Sequence, residues 1–77
     1  MTDDRIVLDL RGLRCPLPVL RARKALSAMA AGAGLVIETT DPLAVIDIPA
    51  FLVEAGHRLI AIERGEDGHR FVVERGG

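Results

Sequence analysis

One cysteine stands in this chain, Cys15, in the run Arg14-Cys15-Pro16-Leu17-Pro18, where an extended segment gives way to a helical pattern. A thiolate is a nucleophile, and a helix N-terminus favours negative charge through its dipole and its unpaired N–H groups. Pro16 and Pro18 would break a helix interior but fit a first turn, where no intrahelical partner for N–H exists and the ring presets φ. The helix is therefore expected to begin at Cys15 or Pro16, with one or two of the N–H groups left on Cys15, Leu17 and Val19 pointing at the sulfur. On this reading the thiol pKa lies below the free value of about 8.5. The competing reading is a structural Cys15, because free cysteines often behave as small buried hydrophobes.

The charges around the cysteine are unevenly spread. Net charge is only -1, yet residues 11–37 hold Arg11, Arg14, Arg21, Arg23 and Lys24 and no acid, so that all 11 acids lie outside that window. A positive field there would stabilise a thiolate and attract an anionic ligand or an acidic partner surface, while the plainer reading is a solvated helix face. A duplex-binding protein needs a larger basic excess and polar readout residues, which makes protein a better partner than nucleic acid. His57 and His69 have no partner assignable from sequence, and strand-surface or loop roles are expected of them. With one cysteine and two histidines, neither a disulfide framework nor a metal cluster can be assembled, and no metal or bound cofactor is expected.

These residues have to be positioned by a small body. Seventy-seven residues, 49% apolar and 27% charged, read as a single folded domain over 1–77, whose core must come from Leu, Ile, Val and Ala because Phe51 and Phe71 are its only aromatics. Asp3, Asp4, Arg5 and Asp9 interrupt any leader-like apolar run, and no stretch is long enough to span a membrane, so a cytoplasmic, reducing compartment is expected.

Along the chain, residues 5–10 are β-branched and apolar enough for a first strand, and Arg11-Gly12-Leu13-Arg14 is the loop that delivers Cys15. From Leu17 to Ala30 the residues Val19, Ala22, Leu26 and Met29 recur at helical spacing, Leu20 widens that face, and Gly32 and Gly34 end the helix. Residues 35–40 are mostly apolar, which predicts a central strand. Next, Asp41 caps a short turn opened by Pro42, or Asp47 caps the second helix with Pro49 in its opening turn. The two are compatible, giving a helical segment through Ala55 with Ile48, Phe51, Leu52 and Ala55 facing the core. Residues 57–63 and 69–75 predict two strands joined by a turn-rich loop, a hairpin. The order is then β-α-β-α-β-β: an α/β two-layer sandwich, with two helices packed on one face of a four-stranded mixed sheet and the other face left to solvent or a partner.

The run Leu10-Arg11-Gly12-Leu13-Arg14-Cys15-Pro16-Leu17-Pro18 with Arg23-Lys24-Ala25-Leu26, and then Thr40-Asp41-Pro42, Asp47-Ile48-Pro49 and Gly56-His57, resembles the TusA, or SirA-like, family of sulfur-carrier proteins over nearly the whole chain. The resemblance implies a compact βαβαββ sandwich and a transient persulfide on Cys15, with no other cofactor. It implies loading by a sulfurtransferase, often a cysteine desulfurase or a rhodanese-like donor. An acceptor protein then takes the sulfur for tRNA thiolation, cofactor synthesis or sulfur oxidation. Asp9, Gly12, Pro16, Pro18, Asp41 and Asp47 match motif positions, and of these residues and Cys15 only the cysteine is a nucleophile. Leu17 stands where some relatives carry glutamate.

The chemistry suits a lone thiol, because a second cysteine would discharge the persulfide and a thioredoxin-like oxidoreductase expects Cys-x-x-Cys. Gly12, Arg14, Pro16, Pro18 and Lys24 are the residues expected to support the site, with Asp41 and Asp47 as structural caps. The expectation is a carrier rather than a stand-alone turnover enzyme, monomeric when free, with no stable nucleic-acid binding. Two other classes stay open at this point: a regulatory or adaptor domain with a structural Cys15, and a nucleic-acid-binding module using the basic cluster of residues 11–24.

Overall fold

The computed structural model describes residues 5–77. The β-branched opening run forms β1 (Ile6–Leu10), the alanine- and leucine-rich stretch α1 (Leu17–Ser27), and the apolar run before Thr40 forms β2 (Gly34–Thr39). Then come α2 (Ala44–Ala55), β3 (Arg58–Arg64) and β4 (His69–Glu74). The sheet order is β1-β2-β4-β3. β1 runs parallel to β2, as its helical crossover requires, and the other two pairs are antiparallel, so the sheet is mixed.

β2 occupies the interior of the sheet, and its apolar character follows from that position. Leu35 and Ile37 point to the helices, joined by Leu10 of β1 and by Phe71 and Val73 of β4. Against this surface α1 buries Ala22 and Leu26, and α2 buries Ala44, Ile48, Phe51 and Leu52. Removing a side chain such as Leu26 from water stabilises the fold by about 1.5–3 kcal/mol. The opposite sheet face carries Arg70 bridging Glu38 at 3.1 Å and Glu63 at 3.9 Å, beside exposed Val7. The expected two-layer sandwich is therefore the observed one.

The element ends depart from the sequence reading in ways that matter for the site. α1 starts at Leu17, not at Cys15 or Pro16; Pro16 is the N-cap, the Cys15–Pro16 peptide is cis, and Cys15 lies in the turn before the helix. The helix closes at Ala28, well before Gly32, because the Ala28 and Met29 N–H groups already fold back on the carbonyls of Ala25 and Leu26. Leu20 is exposed rather than part of the core face. In α2 the first helical residue is Ala44 with Leu43 as N-cap, which places Pro49 inside the helix and Asp47 in its first turn, not at the cap. The buried face consequently begins at Ala44, and Ala55, expected in the core, is exposed. Gly56 at φ 81° ends α2 in the left-handed conformation that glycine adopts without steric cost.

Candidate functional site

Parallel pairing of β1 with β2 sets Leu10 opposite Thr39, so the chain leaves both strands at the same end of the sheet. The two exit loops are then joined by side chains. Thr40 Oγ1 accepts the Gly12 N–H at 2.8 Å, and Asp41 Oδ2 accepts the Cys15 N–H at 2.7 Å. The other carboxylate oxygen of Asp41 accepts the Leu43 N–H at 3.1 Å, an Asx-type turn leading into α2. Asp41 thus caps a turn as expected and also anchors the cysteine backbone. It is only 8% exposed, where a carboxylate with two N–H donors is satisfied and one without them would be costly.

On this frame Cys15 is exposed, which is not the setting of an inert core cysteine. Its Sγ donates to Asp47 Oδ2 at 3.0 Å, a contact between the pre-helical turn and the first turn of α2. The Cys15 and Leu17 N–H groups, expected to point at the sulfur, are engaged elsewhere, the former with Asp41 and the latter with the Arg14 carbonyl at 2.8 Å. The direction of the thiol pKa is accordingly reversed from the sequence reading. It is raised, first by the hydrogen bond to Asp47, then by partial desolvation and by the negative charges of Asp47 and Asp41.

The basic window of the sequence is also dispersed in space. Arg11 is folded onto Asp9 through two contacts, at 2.8 and 2.9 Å, and this pairing holds the exposed Asp9 carboxyl down at about 2. Arg23 lies over the Phe51 ring, 5.3 Å from its centroid. Arg14 is exposed beside the cysteine, while Lys24 sits in the last turn of α1 and lines neither of the grooves that meet at Cys15. Gly12 has φ 86° and open space where a Cβ would be, so the left-handed turn conformation alone calls for glycine there. Pro18 is buried in the first turn of α1 and Pro16 is exposed at the helix entrance.

One of the two grooves is lined by Gly12, Leu13, Arg14, Thr40, Asp41 and Leu43, the other by Val19, Arg23, Asp47, Ala50, Phe51 and Glu54. Exposed Leu17, Leu43 and Ile46 add an apolar rim near this end of the molecule. Glu54 was not singled out from sequence, Arg23 was named there only as a member of the basic cluster, and Thr40 only as the residue directly before Asp41-Pro42. The two histidines are elsewhere: His57 Nδ1 accepts the Gly76 N–H at 3.0 Å, and His69 stacks obliquely near Phe71. Among the described residues there is no cluster of three or more His, Cys, Asp or Glu placed to hold a metal ion, and no helix is long and apolar enough to cross a membrane.

Comparison with known proteins decides among the open classes. The family model described as sulfurtransferase TusA matches residues 6–75. The chain belongs to the TusA family. A relative in Allochromatium vinosum, the sulfur carrier protein TusA, is 45% identical over 71 residues, covering 92% of this chain and 91% of that protein. The crystal structure of a SirA-like protein from Desulfitobacterium hafniense superposes with a TM-score of 0.79 over 94% of this chain and 99% of the other. At 23% identity that likeness speaks for the TusA fold alone.

Proposed function

We propose that this chain relays sulfane sulfur as a persulfide on Cys15, accepting it from a sulfurtransferase or cysteine desulfurase and passing it to an acceptor protein. Its TusA membership makes it a sulfur carrier rather than a stand-alone turnover enzyme. The observation that carries the assignment to Cys15 is its exposure at the meeting of two open grooves, since sulfur relay needs one thiol that successive partners can reach. Loading forms a bond from Sγ to the outer sulfur of the donor persulfide and releases the donor's thiol; unloading reverses the roles.

Gly12 and Pro16 shape the turn that presents the thiol, Pro18 seats the first turn of α1 on the core, and Arg14 borders the approach. Lys24 is at most a contact for an incoming partner, in view of its distance along the helix from the cysteine. Donors of the cysteine desulfurase or rhodanese-like class and an acceptor in tRNA thiolation, cofactor synthesis or sulfur oxidation fit this reading, as does a cytoplasmic location. The test is direct. Incubation with cysteine desulfurase and L-cysteine adds sulfur atoms of ~32 Da each at Cys15, removable by dithiothreitol, and Cys15→Ser abolishes the addition while keeping the native circular dichroism. An unchanged intact mass with several competent donors overturns the assignment.

A further inference from the structure

Asp47 is left without a task by the capping role expected of it. It sits in the first turn of α2, and its Oδ2 accepts a hydrogen bond from the Cys15 thiol at 3.0 Å. The charged groups lining the two grooves that meet at Cys15 come from every neighbouring element: Asp47 and Glu54 from α2, Asp41 from the loop after β2, Arg14 from the turn itself and Arg23 from α1. Arg23 is engaged with the Phe51 ring, and the charges that move the thiol are those of the two aspartates. A carboxylate is a good neighbour for a neutral S–H donor and a poor one for an anion.

We propose that Asp47 makes the carried sulfur easy to give away, by stabilising the empty Cys15 as a neutral thiol and repelling the persulfide anion that replaces it. This rests on the carrier reading above. In the exchange, a donor persulfide anion R–S–S⁻ and Cys15–SH become Cys15–S–S⁻ and R–SH. The donor's S–S bond breaks, a new one forms to Sγ, and the Cys15 proton passes to the leaving thiolate. The transferred sulfur keeps its oxidation state, so no outside oxidant or reductant is needed. Negative charge moves from the donor onto the carrier. An S–S bond is about 2 Å long, so the new charge lies within about 5 Å of the carboxylate, well inside the Debye length of about 8 Å at physiological salt. The loaded state is thereby raised relative to the empty one, and onward transfer is favoured. The same contact suppresses thiolate in the resting carrier and protects it from alkylation and oxidation between deliveries.

The experiment compares the native protein with Asp47→Asn in two ways. Equilibration with glutathione persulfide and glutathione, followed by intact mass, reads the exchange constant; the variant is expected to favour the loaded form by about threefold or more, with the difference shrinking at high salt. Iodoacetamide alkylation of the unloaded proteins across pH reads the thiol; the native midpoint is expected above that of a free cysteine, and that of Asp47→Asn below the native one, with alkylation near neutral pH faster by about threefold or more. Equal exchange constants, or coincident alkylation profiles, overturn the proposal. If the native protein takes no sulfur from glutathione persulfide or a desulfurase, the carrier reading fails, while the alkylation profiles still decide whether Asp47 governs the thiol. Should Asp47→Asn lose its native circular dichroism, Asp47→Ser replaces it. If neither folds, the native protein decides: its alkylation midpoint must fall as salt screens the carboxylates, and an unmoved midpoint overturns the proposal.

Discussion

At the cysteine end of the molecule and at the end where the C-terminal segment passes α2, side chains do the same structural job and differ in one respect. In both places a titratable group accepts a backbone N–H from a distant segment: Asp41 from Cys15 at one end, His57 from Gly76 at the other. The far end is then complete, with Arg75 donating to the Leu26 carbonyl at 2.8 Å and the His57 ring 6.0 Å from that of Phe51. The near end has one further carboxylate, Asp47, whose partner is a sulfur instead of a backbone group. The difference teaches that a hydrogen-bonded acid or imidazole marks an anchored chain, and that the chemistry is marked by the one bonded to a nucleophile.

The largest effect expected within this comparison comes from the near anchor. Asp41→Ala leaves the Cys15 and Leu43 N–H groups without their acceptor and is expected to lower stability by about 1–3 kcal/mol in urea unfolding, with persulfide loading of the folded fraction also slowed because the turn that holds the thiol loosens. Equal stability would show that Asp41 does not anchor the turn. Asp41→Asn, which keeps one acceptor oxygen, is expected to lose less.

A smaller effect is expected at the far anchor. His57→Ala removes the acceptor of the Gly76 N–H and is expected to cost about 0.5–1.5 kcal/mol while leaving persulfide loading unchanged. The His57 pKa is lowered by burial first and by the Arg75 charge second. With the folded value below the unfolded one, the unfolded chain binds more protons in acid. His57 therefore contributes stability that is present above about pH 6.5, the unfolded value, and is lost as pH falls through the folded value. Urea midpoints of the native protein should decline over that range more steeply than those of His57→Ala; parallel declines would sink the assignment.

The smallest effect is expected from the cations. Arg14→Glu with Lys24→Glu is expected to change the alkylation rate of Cys15 by less than about twofold near neutral pH, because neither residue contacts the sulfur. A slowing of tenfold would restore the positive field that the sequence window suggested.

That window shows where a sequence reading stops. β1, β2, the hairpin and both helices were legible, because Ile6–Leu10 and Leu35–Thr39 carry β-branched runs and Ala22, Leu26, Ile48 and Leu52 repeat at helical spacing. Cys15 stood out by its setting between Arg14 and Pro16, and Asp41 as a turn-former by its place before Pro42. The sign of the field at Cys15 was not, since it depends on acids 26 and 32 residues away that only the closed sheet and α2 bring to the sulfur. Asp47 was misplaced for a related reason: Pro49 suggested an opening turn, whereas α2 begins at Ala44 and tolerates the proline inside, turning the aspartate toward the cysteine. Arg11, counted with the basic cluster, is neutralised by an acid two positions earlier.

The 32-residue separation between Cys15 and Asp47 has a consequence in time as well as in space. During synthesis the thiol emerges long before its carboxylate partner, and closing a contact of that span waits for the sheet to assemble. Until then Cys15 ionises like a cysteine in any flexible peptide and reacts with oxidants at that rate. Folding quiets it. A chain that misfolds, or reopens under stress, presents the thiol without its carboxylate neighbour, in the more reactive form.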